Sequence, residues 1–267
     1  MRYLAGRFIT FFLTAYLLAG CLSCASTPLP ASVIDNTCPP PCWAGITPRA
    51  STLPQAQSII RSLSDVDLNS IKQGQDYHQE SDRDESGNPR DYERSRLMLS
   101  WNFSTTITHN GSYTQNWLES GGAVYFDNDQ VDEIDLAVPH ASGLSIATAI
   151  KRFGPPTKVL VCNPGGELAD FVKLIYPTQG LVLSVYNTCP NQWSTNSLTL
   201  SRDLQVTEIV FFDPSHYEDI LLSRVAPGMY LGPVVRATRL QKIQSWLQDW
   251  QGFQPQTRYT SNSECWR

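Results

Sequence analysis

Gln130-Val131-Asp132-Glu133-Ile134-Asp135-Leu136 is answered 75 positions later by Gln205-Val206-Thr207-Glu208-Ile209-Val210-Phe211. Both stretches open Gln-Val and carry Glu at the fourth place and Ile at the fifth. Both are rich in β-favouring residues that alternate around the Val and Ile positions, the two-residue period of a strand. A strand text that returns at a fixed distance is the mark of an internal repeat.

Each copy is preceded by a short helical text. In LPQAQSIIRSL, Ala56, Ile59, Ile60 and Leu63 fall at i, i+3, i+4 and i+7, and in LSIATAIKRFGPP, Ile146, Ala149, Ile150 and Phe153 do the same 90 positions later. Such spacing gives one amphipathic helix with a single buried stripe in each unit. Thr52 followed by Pro54 marks the first start and Ser142 or Ser145 the second, while Gly154-Pro155-Pro156 stops the second helix. The offset shrinks from 90 to 75 because the first unit holds a longer polar insert, from about Gln73 to Arg94.

Between helix and closing strand lies more strand text. The first unit has LMLSWNFS and GGAVYFD, the latter turning at Asp127-Asn128-Asp129-Gln130 into the first repeated stretch. The second has Lys158 to Cys162, then FVKLIY and LVLSVY joined by Pro177-Thr178-Gln179-Gly180. A sheet needs one face covered and a helix needs a surface to cover, so the expected fold is α+β. Two diverged helix-then-antiparallel-sheet units form a two-layer sandwich. Leu240, Ile243, Leu247 and Trp250 make a later stripe, between Pro233 and Gly252, read as a C-terminal packing helix.

The chain begins MRYLAGRFITFFLTAYLLAGC. Arg2 and Arg7 precede an apolar run, and small residues lead directly to Cys21, the three-part layout of a secretory signal. Leu18-Ala19-Gly20-Cys21 resembles the bacterial lipobox, which implies lipidation of Cys21 as the first residue of the mature chain. From Leu22 to Pro41 the text holds five Pro after Ser26 and reads as a tether. The expected division is therefore a signal peptide at 1–20, a lipid-anchored flexible tether at 21–41, a first repeat at 42–140, a second at 141–213, and a helical extension at 214–267.

Gly45-Ile46-Thr47 leads to the first helix, and Gly143-Leu144-Ser145 leads to one that ends Phe-Gly-Pro-Pro. That pattern resembles small bacterial envelope lipoproteins of the SmpA/OmlA type and the related tandem-repeat fold of beta-lactamase-inhibitory proteins. The resemblance covers about 40 residues in pieces; the first copy departs from it, with PRAST inserted and no Gly-Pro after Leu63. It implies scaffolding or protein binding rather than catalysis, with no particular partner.

Residues 1–20 contain two Arg and no acidic residue, so the remaining chain sets 18 basic against 25 acidic side chains, a formal net charge of −7. No basic face is apparent, so nucleic acid is not an expected partner. Seven Cys in an exported chain point to disulfides. Cys162 with Cys189, which bracket one hairpin, is the preferred pair, followed by Cys42 with Cys265 or, across CPPPC, with Cys38. A zinc site at CPPPC lacks a second Cys or His pair at usable spacing.

Asp82, Asp84, Ser86, Asn88 and Glu93 fall at positions 1, 3, 5, 7 and 12 of a calcium-loop spacing with Gly87 at 6. Pro89 and the missing preceding helix depart from that motif, and a solvated charged loop is the competing reading. Calcium is the one cofactor considered. Among His78, His109, His140 and His216, only His216 has acidic neighbours in sequence, Asp213, Glu218 and Asp219, and it reads as a surface residue beside a helix start. Ser145 is a helix cap rather than a nucleophile, because Gly143-Leu144-Ser145-Ile146-Ala147 lacks the second Gly of an elbow. Trp101, Trp117 and Trp193 fill the layer between helix and sheet or, if exposed together, form a binding face.

No catalytic set assembles from these residues. The expected function is a membrane-anchored extracytoplasmic lipoprotein, a binding or scaffolding module with an envelope or extracellular protein as partner. An envelope hydrolase with a site built from distant segments is the alternative.

Overall fold

The computed structural model describes residues 29–34, 38–83, 89–104, 120–138, 143–162, 170–187, 197–198, 200–225, 236–253 and 259–260. Helix α1 (Leu53–Ser62) is followed by β1 (Lys72–Arg83), β2 (Pro89–Asn102), β3 (Gly121–Asp127) and β4 (Gln130–Ala137). Helix α2 (Ile146–Phe153) is followed by β5 (Lys158–Cys162), β6 (Asp170–Tyr176), β7 (Leu181–Asn187), the short β8 (Ser197–Leu198) and β9 (Glu208–Phe212). The chain ends with α3 (Tyr217–Ile220), which runs on as a π-helical turn over Leu221–Val225, then α4 (Arg236–Trp246), β10 (Gln248–Asp249) and β11 (Tyr259–Thr260).

Nine strands form one antiparallel sheet in the order β1-β2-β3-β4-β9-β7-β6-β5-β10, with β8 and β11 pairing separately. The two repeated stretches meet at its centre. In the β4–β9 ladder Ile134 faces Phe211, Asp135 faces Val210 and Leu136 faces Ile209. Shifting each residue by 75 positions turns the first pair into the third and maps Asp135–Val210 onto itself. The two halves are thus related by a local two-fold through that pair.

Equivalent backbone bonds fix each helix to its closing strand. Val131 N–H donates to Ser51 O (2.9 Å) and Leu53 N–H to Asp129 O (3.3 Å); in the second half Val206 N–H donates to Leu144 O (2.8 Å) and Ile146 N–H to Leu204 O (2.8 Å). These bonds put Thr52 and Ser145, 93 positions apart, at equivalent N-caps, which corrects the offset of 90 read from apolar spacing. Ala56 and Ile60 correspond to Ala149 and Phe153, and all four are buried. The misreading arose because two turns of a 3.6-residue helix look alike after a three-residue slip.

Local chemistry sets the element ends. Gln55 Oε1 accepts from Thr52 N–H (2.9 Å), and Ser145 Oγ accepts from Thr148 N–H (3.2 Å), satisfying helix N-terminal donors. Asn128 (φ 50°) and Asp129 (φ 64°) take the paired left-handed conformations of a two-residue hairpin between β3 and β4. Gly180 has φ 62°, and a Cβ there would sit 2.0 Å from Phe212 O, so only glycine lets β7 turn beneath the end of β9.

Both helices pack on one sheet face, where Leu99, Trp101, Val124, Ile134, Leu174 and Ile209 are buried. Trp43 stacks on Trp101 with ring centroids 5.4 Å apart. Each such side chain stabilises the fold by about 1.5–3 kcal/mol on burial. The opposite face is mainly apolar in the second half. There Leu160, Phe171, Val182 and Phe212 lie under Leu221, Val225, Leu240 and Ile243 of the C-terminal helices. The C-terminal helix therefore packs across the sheet as expected, adding a third layer over that half.

Three expectations change. The polar insert from about Gln73 to Arg94 is not a loop but the two arms of the β1–β2 hairpin, whose ladder runs from Lys72–Ser100 to Arg83–Pro89. Within the segment expected to be a tether, residues 29–34 pack on the fold: Val33 is fully buried, Ser32 N–H donates to Asp65 Oδ2 (2.8 Å), and Ser32 O accepts from Trp43 Nε1 (2.7 Å). The last helical stripe stops at Leu247. The chain then crosses the sheet edge as β10, pairs with β5, and delivers Trp250 to the other face beside Phe253 and Tyr259.

Candidate functional site

On the face opposite α1 and α2 the first half is charged, whereas the second is apolar apart from Lys173, Ser184 and Glu208. Tyr125 faces Glu133 and Phe126 faces Val131, so Asp132 is the extra residue of a β-bulge. Glu133, almost fully buried, lies 3.3 Å from Arg96 Nη1 and 2.5 Å from Arg224 Nη2; Arg224 Nη1 also reaches Asp135 at 3.2 Å. The Tyr125 ring receives both guanidinium groups, at 4.5 Å from Arg96 and 5.0 Å from Arg224. Arg224 comes from the π-helical turn, so this cluster ties the C-terminal cap to the first half.

Across the two-fold, Glu208 occupies the place of Glu133. Lys173 Nζ donates to Ser184 Oγ (2.6 Å) and to Glu208 Oε2 (2.9 Å), and the Ser184 hydroxyl donates to the same carboxylate. Burial works against ionisation of Glu208, but Lys173, the Ser184 bond and Arg224 outweigh it and hold the group below the usual carboxylate range. Asp135 goes the other way. Burial first, then the Glu208 charge, push it up to about 7 despite Arg224.

His216 ends a single 3₁₀ turn, Pro214–His216. Its Nδ1 lies 3.3 Å from Asp132 Oδ1, and Arg49 Nη2 sits 3.2 and 2.9 Å from the two ring nitrogens. Arg49 also reaches Asp127 (3.2 Å) and Asp132 (3.3 Å). The adjoining polar cavity, about 50 Å³ between Arg96, Asp132, His216, Ser223 and Arg236, has room for a water or two rather than a substrate. Ser223, the hydroxyl nearest to it, donates to Asp219 O (2.8 Å).

A wider hollow lies on the helix-covered face of the second half. It is an open trough of about 660 Å³ between α2, which contributes Ile150 and Lys151, the turn at Arg202, and the segment Trp250–Phe253. Trp250 meets Phe253 edge-on (centroids 5.2 Å) and stacks on Tyr259 (6.0 Å). Tyr259 Oη accepts from Gln251 N–H (2.9 Å) and donates to Gly252 O (3.3 Å), locking the segment that forms one wall. Arg202 lies over the Phe253 ring at 5.4 Å. The trough is apolar at its floor, cationic at Lys151 and Arg202, and without a carboxylate in its lining.

Of the residues singled out from sequence, Cys38 and Cys42 form a disulfide. Cys162 is buried and disulfide-bonded, with its partner outside the described residues. Cys21, Cys189, Cys265, Asp84, Ser86, Asn88, His109, His140, Trp117 and Trp193 also lie outside them. Asp82 sits in β1 opposite Arg90 and Glu93 in β2 opposite Gln79, three steps apart along a ladder. Among the described residues no three His, Cys, Asp or Glu side chains are grouped to hold a metal ion. Trp101 is a core residue, 2 % exposed. His216 is half-buried, and the acid it meets is Asp132 from β4 rather than only its sequence neighbours.

The buried acids and the trough were not singled out in the sequence. Glu at the fourth place of both repeated stretches was the available signal for the acids. Nothing local signalled the trough, whose walls come from segments about 50 and 100 residues apart.

Comparison with protein-family models, with curated proteins and with solved structures gives no match.

Proposed function

We propose that this chain is a lipid-anchored extracytoplasmic protein, held to the cell membrane through Cys21, that acts as a binding module with the trough beside α2 as its ligand surface. The observation that carries the reading is a difference in how polar groups are used. In the buried cluster Arg96, Arg224 and Lys173 are spent on Glu133, Asp135 and Glu208. At the trough neither Lys151 nor Arg202 makes an ion pair among the described residues, and the Arg202 guanidinium lies over the Phe253 ring, beside half-buried aromatic rings. Open apolar hollows with a few uncommitted polar groups are what binding surfaces offer.

The anchor follows from Leu18-Ala19-Gly20-Cys21. No helix among the described residues is long and apolar enough to cross a membrane. The hydrolase alternative has one observation in its favour, the His216–Asp132 pair, and two against it: Arg49 lies against the imidazole, and the adjoining cavity admits only water.

Two measurements test the reading. Intact mass of protein purified from its membrane fraction gives a diacyl or triacyl increment on a chain starting at Cys21, lost in Cys21→Ala; an unmodified chain in the medium contradicts the anchor. A photo-cross-linking residue at position 150 gives envelope adducts that the same residue at position 57, its counterpart on α1, does not. Equal labelling at both positions contradicts the trough.

A further inference from the structure

Resting on the trough as ligand surface, we infer that its occupant is an acidic peptide segment of a partner protein, with a carboxylate between Lys151 and Arg202 and an apolar side chain against Ile150 and Phe253. Three observations converge. The lining holds two exposed cations and no carboxylate, in a chain whose acidic residues outnumber basic ones, 25 to 20. A surface that reverses the sign of the whole molecule selects an anionic partner locally while the net charge repels acidic molecules elsewhere.

The second observation is the backbone of the wall. Gly252 (φ 87°) and Phe253 carry N–H groups without an acceptor among the described residues, whereas the Gln251 N–H is taken by Tyr259 Oη. Adjacent N–H groups with no acceptor among the described residues, beside two cations, suit carboxylate or carbonyl oxygens of an extended chain. The third is the geometry of the rings. Trp250 already stacks on Tyr259 and is edged by Phe253, so the rings are committed to each other rather than presented as a flat platform for a sugar. Their exposed edges, together with Ile150, form a shallow seat for one aliphatic or aromatic side chain.

The test is selection of a random peptide display library on the purified mature chain, followed by calorimetry of synthetic versions of the enriched sequences. The expected result is enrichment of Asp or Glu next to an aromatic or aliphatic residue. Binding then falls about tenfold or more in Lys151→Glu/Arg202→Glu and weakens in high salt. Both positions are exposed, and an unchanged circular dichroism spectrum of the variant confirms that folding is not the cause. Neutral or basic enriched sequences, or indifference to the charge reversal, overturn the inference; if Ile150→Asp abolishes that binding, the trough still stands as a ligand surface. No enriched peptide also overturns it. An anionic oligosaccharide that then binds wild type and not Ile150→Asp assigns the trough to another ligand class, and failure of both probes removes the trough as well.

Discussion

The two halves of the sheet share one topology and carry different loads. In each, an N-capped helix sits over a four-stranded meander, and the closing strands β4 and β9 meet on a local two-fold. Yet on the face opposite the two helices the first half carries a network of ion pairs, where the second carries one pair, Lys173–Glu208, among Leu160, Phe171 and Val182. The helices differ in the same way. Gln57 and Ser58 of α1 correspond to Ile150 and Lys151 of α2, and Asp127 corresponds to Arg202. The side chains that line the trough in the second half thus have no like counterparts in the first, on a scaffold that both halves build. The shared layer supplies stability, and the unshared side chains supply what is particular to each half.

The largest expected effect breaks the shared layer. Trp101 and Tyr176 occupy equivalent places in β2 and β6, both buried, and Trp101 packs on Trp43. Trp101→Ala removes the ring and leaves a cavity, at a cost of about 3–5 kcal/mol in urea unfolding. A loss below about 1 kcal/mol would mean that this layer is not what holds the halves together.

Next is the buried Lys173–Glu208 pair. Lys173→Met strands a buried carboxylate and costs about 3–5 kcal/mol, whereas Lys173→Met/Glu208→Leu, which removes both charges and leaves Ser184 as the polar group there, recovers most of it. No recovery in the double variant would show that Ser184 and the neighbouring charges need the pair itself.

Asp135 sharpens the comparison at the axis, where its counterpart is Val210. In the folded chain it keeps its proton up to about pH 7, while an unfolded aspartate releases it near pH 4. Between those values the native state binds more protons, so this residue lowers stability as pH rises. Wild type therefore loses about 2–4 kcal/mol relative to Asp135→Asn between pH 4 and pH 7. Parallel pH–stability curves for the two proteins would contradict the burial argument. Glu208 has the opposite sign: its contribution is present at neutral pH and lost as pH falls through its lowered value.

The smallest effect is a single hydrogen bond. Tyr176 Oη donates to Gly154 O (3.1 Å), tying β6 to the end of α2, a bond that Trp101 does not make to α1. Tyr176→Phe costs about 1 kcal/mol in the same unfolding experiment, and no change would mean that water replaces the bond.

Much of this architecture was legible because periodicity and turn chemistry are local. Ser145 as cap, Gly154 as stop, Asn128-Asp129 and Gly180 as turns, and the repeated closing strands all stand in the sequence. The β1–β2 arms were not legible, since KQGQDYHQESDR has no apolar alternation and is a strand only because β2 offers it a ladder. The slip from 93 to 90 shows that a short helix fixes its face but not its register. The candidate site was hidden for a different reason. Arg49, Asp132 and His216 meet across the sheet, and Trp250 reaches the trough only because the chain crosses the edge as β10, so neither grouping has a sequence spacing to detect.

The most direct measurement is hydroxyl-radical footprinting of the protein in its native envelope and after purification, read by mass spectrometry at Trp250 and Phe253 and at Leu63 and Leu68 of the first half. Reduced oxidation of Trp250 and Phe253 in the envelope, with Leu63 and Leu68 unchanged, is the expected result. Equal oxidation of Trp250 and Phe253 in both preparations would contradict a ligand at the trough.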